Sequence, residues 1–448
     1  MLVISRKALS TIALTAAITV AFSHRPAYAQ AAQGAAQGGA QKNWKDRAEY
    51  DLYEAISKPD ATPAKRLELL NQWKEKYAAS EFADVRQQVY MTTYVQLGRP
   101  GDAIATAGEI LAKDPNSLQA LSTTLTSIFS VQGPTPDQLS TAEKAANQVV
   151  SGLDTLFGAD KKPANVSDAD WQMAKKNMQV LAQNALGFVS WQRKDYEKAE
   201  TEFTKSLKLE PNQGQVSYWM SVVMLAQRKT EKYSAALWHY ARAAAYDGPG
   251  SLNAEGRKQV LGSFTTTYNT YHGSKEGIEK VLAESKSAAL PPDGYKIPSK
   301  LDIAKGQLEK EEEFKKANPA LALWKSIKEA LTGAEAQTYF NEHMKEAELP
   351  LEFKGKLIEA KPETNPKELV VSVDDGMTPD ATLILDAPLR GKMEPGSDIG
   401  FVKGVAQKYQ TNPYMVTFNV EKANITGWKG APAPAPAKPK RAPVRKKK

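Results

Sequence analysis

Side chains able to do chemistry are few and scattered. The chain has four histidines: His24, His239, His272 and His343. His343 has an acid at helical spacing, Glu346, but no second histidine follows at the interval two metal ligands on one helix require, and no HExxH occurs. No cysteine is present, which removes thiolate nucleophiles, cysteine-held metals and disulfides together. No Gly-x-Ser-x-Gly turn presents a serine, no phosphate loop ends in Gly-Lys-Ser/Thr, and no dinucleotide glycine pattern follows a strand-like run. The carboxylate pair Asp374-Asp375 precedes Gly376 between two alternating runs, where turn chemistry accounts for it. These residues predict no catalysis, no metal and no cofactor, and so a protein that binds.

Charge is unevenly placed. Of the net +8, +3 lies in residues 1–29 and +7 in residues 438–448, which leaves −2 for everything between. Arg6-Lys7, an apolar run from Ile12 to Phe22 and Ala27-Tyr28-Ala29 before Gln30 form the pattern of a signal peptide over 1–29, with cleavage after Ala29. The apolar run is too short to remain as an anchor, so the mature chain is expected to be periplasmic or secreted, with no transmembrane segment. Residues 30–43 are an Ala/Gln/Gly spacer with nothing to bury. Residues 431–448 form a Pro/Ala stalk whose extended backbone holds Lys438, Lys440, Arg441, Arg445, Lys446, Lys447 and Lys448 away from the body. Such a cluster suits an anionic polymer or a membrane surface.

The elements between are mostly helical. From residue 44 to 290, apolar residues recur at helical period in paired runs, five or six hairpins in all. Pro63 suits a first turn, Asp168 an N-cap, and Asp114-Pro115-Asn116 and Glu210-Pro211-Asn212 end two of the pairs in the same way. The most regular stretch is Val180 to Gln213, broken at Lys194-Asp195. Leu186-Gly187, Asp195-Tyr196, Ala199, Phe203 and Pro211 stand there at fixed offsets, with Gly187 and Ala199 small enough to let two helices approach.

In those residues the stretch resembles the tetratricopeptide repeat (TPR), a motif of ~34 residues. Tyr94, Gly98, Ala103, Ala107 and Pro115 repeat the match upstream. The resemblance implies a right-handed α-solenoid whose first helices line a concave surface for a protein or peptide. Carried over by position, that groove comprises Asn184, Phe188, Trp191 and Gln192 from one repeat and Tyr218, Val222 and Leu225 from the next. Helical spacing leaves a second reading open, in which Phe188 and Trp191 pack against the neighbouring hairpin.

Residues 291–349 begin with a proline-rich boundary and continue as bridging helices over 301–316, 320–331 and 334–347. At Pro350 the period becomes alternating, with five strand-like runs at 352–359, 368–373, 381–385, 399–409 and 414–420. With its glycine-rich bends, this region of 350–430 resembles a small five-stranded OB-like β-barrel. OB-folds often bind oligonucleotides or sugars, but acids such as Glu394 and Asp398 balance the nearby lysines, so the footprint that nucleic acid requires is missing. The sequence thus predicts a mainly α, non-enzymatic exported scaffold that binds protein partners through the groove. The alternative is a polyanion- or glycan-binding module acting through barrel and tail.

Overall fold

The computed structural model describes residues 42–430. The expected signal (1–29), nearly all of the spacer (30–43) and the basic tail (431–448) therefore lie outside the described residues. Those described are mainly α-helical, with fifteen α-helices and one seven-stranded sheet. The chain divides into two units, one up to Lys300 and one from Leu301 onward.

The first unit contains α1 (Arg47–Ser57), α2 (Pro63–Lys76), α3 (Ala83–Gln96), α4 (Pro100–Lys113), α5 (Leu118–Ser127) and α6 (Pro136–Leu156). It continues with α7 (Asp168–Gln192), α8 (Tyr196–Leu209), α9 (Gly214–Ala226), α10 (Tyr233–Ala245), α11 (Ala254–His272) and α12 (Ile278–Ser287). Proline opens α2, α4 and α6, where its missing N–H has no intrahelical acceptor to lose. Ser167, rather than the expected Asp168, caps α7 by accepting from Asp170 N; Asp168 is its first residue, and a carboxylate there favours the positive helix end.

Three hairpin turns share one conformation. Gly98, Lys194 and Arg228 are left-handed, at φ 64°, 64° and 57°, and occupy the same place between paired helices. Arg99 N donates to Tyr94 O and Asp195 N to Ser190 O, both at 2.9 Å, the six-to-one bond that satisfies an otherwise orphaned helix-end carbonyl. Inside the α7–α8 pair, a Cβ on Gly187 would lie 2.5 Å from the Phe203 ring, and Ala199 is fully buried. Gly187 thus makes room for a partner ring, and no larger residue fits. Loops after α8 and α10 also touch: Gly214 N donates to Gly250 O at 2.8 Å, and a Cβ on Gly250 would meet Asn212 O at 1.8 Å.

Neighbouring hairpins are tied at their rims. Glu143 of α6 pairs with Arg193 and Lys198, Glu197 of α8 with Lys229, and Glu200 of α8 with Lys232. Acids on one pair thus meet bases at the turn or second helix of the next. Exposed pairs of this kind contribute about 0–1 kcal/mol each, so they set register more than stability.

The proline-rich segment expected as a boundary belongs to this first unit. Ala289 and Leu290 pack on the central core, Ile297 is buried in the next cluster along, and Tyr295 meets Trp238 edge-on at 4.7 Å. Ser234 Oγ accepts from Ile297 N at 3.0 Å. Residues 288–299 form a strap along α10 that turns at Pro292–Tyr295, where Tyr295 N donates to Pro292 O at 3.1 Å and Gly294 is left-handed at φ 74°. This explains why ten of the thirteen residues of α10 are buried, so that it lacks the polar face of a surface helix.

The second unit opens with α13 (Lys300–Ala317), α14 (Pro319–Thr332) and α15 (Ala336–Tyr339), the last continuing as a π-turn over Phe340–Met344. The helix expected over 334–347 is therefore shorter, running from Ala336 to Met344. Strands β1 (Phe353–Lys361), β2 (Glu368–Ser372), β3 (Ala381–Leu385), β4 (Asp398–Phe401), β5 (Val405–Thr411), β6 (Tyr414–Val420) and β7 (Ile425–Thr426) follow. They form one sheet in the order β5-β6-β3-β2-β1-β4-β7, with β3 and β6 parallel.

Seven strands stand where five were expected. Lys403, at φ 53°, breaks the run over 399–409, so that β4 pairs with β1 while β5 pairs with β6. The short β7 then adds to β4. The interior is one cluster around Trp324 of α14, which is fully buried against Phe353 and Phe418. Trp324 Nε1 donates to Asp380 at 2.9 Å, and the same carboxylate accepts from Val373 N at 2.8 Å and Asp374 N at 2.9 Å.

Candidate functional site

The residues singled out for a groove lie on α7 and α9, and the fold gives them different surroundings. Phe188 is buried, with its ring edge-on to Phe129 at 5.4 Å and to Trp191 at 5.9 Å. It is core and offers a ligand little surface. Trp191 is half-buried and Gln192 is exposed at the end of α7. Asn184 is half-buried and donates through Nδ2 to Gln213 Oε1 at 2.8 Å, while Gln213 Nε2 in turn holds Ser206 Oγ and Glu210 O. Its first task is to position the loop into α9, which leaves Oδ1 as a buried acceptor without a partner.

On α9, Tyr218, Val222 and Leu225 are half-buried. Tyr218 stacks obliquely on Tyr240 at 5.9 Å, and burial raises the pKa of its hydroxyl. Tyr218 and Leu225 each touch two core clusters, so they seal the seam between consecutive hairpins while keeping an outward edge. The fold brings Phe188 and Trp191 together around a residue the sequence does not distinguish, Trp219. It lies 5.4 Å from Phe129, 5.7 Å from Phe188 and Phe203 and 6.4 Å from Trp191. Nothing in helical period separates Trp219 from Tyr218, because α9 is apolar on most of its circumference. The result is an aromatic cluster joining three hairpins, with the half-buried edges of Phe129 and Trp191 at its margin.

Several titratable groups elsewhere in the described residues are held by hydrogen bonds, ion pairs or burial. Asp375 accepts from Met377 N, Thr378 N and the hydroxyls of Thr378 and Ser372, bonds that hold its carboxyl well below the usual range. Asp374 pairs with Lys328 at 2.8 Å. Asp380, buried under Trp324, has its pKa raised because desolvation outweighs its three donors. His239 is buried, and desolvation, with the Arg242 charge adding to it, lowers its pKa to about 3. His272 Nδ1 lies 2.8 Å from Pro298 O.

His343 lies beside a cavity of about 170 Å³ in the second unit, lined by Leu323, Ile327, Tyr339, Met344, Leu349 and Ala406 among others. The lining is largely apolar and brings no second histidine to His343. Among the described residues, no three His, Asp or Glu side chains converge as metal ligands, and no helix is long and apolar enough to cross a membrane. The basic residues Lys438 to Lys448 lie outside the described residues. Comparison with protein-family models gives no match to this chain, and comparison with curated proteins gives none either.

Proposed function

We propose that this is an exported, non-catalytic scaffold. Its first unit is read as a TPR-type right-handed solenoid that holds an extended segment of a protein partner, and its second as an OB-like barrel that adds a further contact. The binding stripe comprises the outward edges of Trp191, Tyr218, Val222 and Leu225, with Asn184 and Gln192 as the polar groups that orient a peptide backbone. The observation that carries this reading is the stripe's half-buried state across two hairpins tied by the same left-handed turn. Rigid aromatic area flanked by amides is what peptide grooves use for anchoring and alignment.

The test is binding of partner protein to the mature chain and to two variants, at low and high salt. Trp191→Ala combined with Val222→Glu is expected to weaken binding by about 100-fold, as loss of a central anchor does. Deleting 438–448 or raising the salt is expected to change it by less than about threefold, since a groove contact does not depend on counterion release. The opposite pattern, with steep salt dependence and loss on tail deletion, would replace the groove with the polyanion-binding tail.

A further inference from the structure

The strap over 288–299 covers polar atoms it does not satisfy. Ser234, Trp238 and Arg242 stand one turn apart along a single stripe of α10, with His239 beside them. The strap and the end of α12 engage parts of this stripe: Ser234 through Ile297, the Trp238 ring through Tyr295, and Arg242 Nη1 through Ser285 O at 3.0 Å and Lys286 O at 2.9 Å. Arg242 Nη2 reaches Pro211 O at 3.0 Å. Yet Trp238 Nε1, Arg242 Nε and both ring nitrogens of His239 are buried without a partner, in side chains at most 3% exposed. Among the described residues, no carboxylate pairs with the Arg242 guanidinium. One N–H of a buried guanidinium and two further donors left unpaired are costly, and an acceptor that suits all three is a carboxylate.

We propose that the stripe of Trp238, His239 and Arg242 is a binding site for an acidic peptide segment, and that the strap is its removable internal cover. The strap shows that a chain segment fits along α10, since its Ile297 amide and Tyr295 ring already use that surface. It brings no acid to the donors, so a segment presenting a Glu or Asp side chain where Tyr295 meets Trp238 makes bonds that the cover cannot. This site is distinct from the Trp191–Leu225 stripe on α7 and α9, so either can fail without the other.

The experiment uses the full mature chain with Tyr295→Ala and Ile297→Ser to loosen the cover. Two labelled twelve-residue peptides are its probes, one with the sequence of 288–299 and one carrying Tyr295→Glu. The acidic peptide is expected to bind about tenfold tighter than the other. Trp238→Phe, which keeps the ring and removes only the N–H, is expected to erase about fivefold of that difference and to leave the unsubstituted peptide unchanged.

In the otherwise unaltered chain, Tyr295→Glu alone is expected to slow amide exchange across 288–299, because the carboxylate then satisfies the donors in place. Equal affinity for both peptides, a preference that survives Trp238→Phe, faster exchange in the Tyr295→Glu chain, or full competition by inorganic phosphate at equal charge would each overturn the proposal.

Discussion

The two units solve the problem of burying an interior in different ways. Within the first, the buried apolar residues fall into four separate clusters, strung from Trp73 and Val89 at one end to Phe264 and Val281 at the other. Within the second they form one, centred on Trp324 and reaching six of the seven strands. A string of clusters means that each hairpin depends chiefly on its neighbours, so damage stays local and an edge between hairpins can be spared for binding. A single cluster means that the sheet stands or falls together. The binding stripe is proposed on the unit whose architecture can spare it.

The largest effect expected from this contrast is on the second unit. Trp324→Ala removes the central ring and strands the Asp380 carboxylate, at a cost of about 4–5 kcal/mol. Amide exchange in β1, β2, β3 and β6 should accelerate together, with α1 to α12 unchanged. Exchange that accelerates in β1 alone would break the single-core description. Next is Gly187→Val, which drives a side chain into Phe203 and is expected to cost about 2–3 kcal/mol. Its signature is local: faster exchange in α7, α8 and the helices beside them, with α1 and α2 protected as before.

Acid acts with opposite sign on two buried groups, one in each unit. His239 stays neutral in the folded state down to about 3 but protonates near its ordinary value when unfolded. Its contribution is therefore intact above about 6.5 and is lost as pH falls through that window, at up to about 1.4 kcal/mol per pH unit. Asp380 acts oppositely: its raised folded value means that it costs stability above its own pKa, and that cost is relieved as pH drops toward the ordinary carboxylate range. Melting curves of wild type and His239→Gln from pH 7 to pH 4 test this: the helical unit should lose less stability over that range in the variant, and an equal loss in both would contradict it. The smallest effect belongs to the rim. Glu143→Ala should cost about 0.5 kcal/mol, and less in high salt; a larger loss would make the ion pairs structural rather than aligning.

Legibility in the sequence followed the range of the forces involved. Paired helices and their ends were readable because period, proline starts and turn residues are local: Pro63 and the break at Lys194-Asp195 both mark real boundaries. The run over 381–385 was readable as a strand for the same reason. The strap was not, since Leu290-Pro291-Pro292 has the composition of a linker and only contact with Trp238 and Ser234 makes it part of the first unit. Lys403 was equally silent, because a left-handed lysine leaves no mark in a sequence, yet it divides one expected strand into two with different neighbours. In the candidate site, Trp191 and Asn184 were named by the positions they would hold in the repeat that the stretch resembles. The burial of Phe188 and the centrality of Trp219 depend on the facing hairpin, which period cannot supply.

The central claim is that a partner segment lies against the α7–α9 stripe. A photo-crosslinking residue placed at Trp191, and in a second chain at the exposed Lys205 of α8, tests it directly in the living cell. The account predicts one discrete protein adduct from position 191, none from position 205, and loss of the first when Val222→Glu is added. The same adducts from both positions, or an adduct indifferent to Val222→Glu, would contradict it.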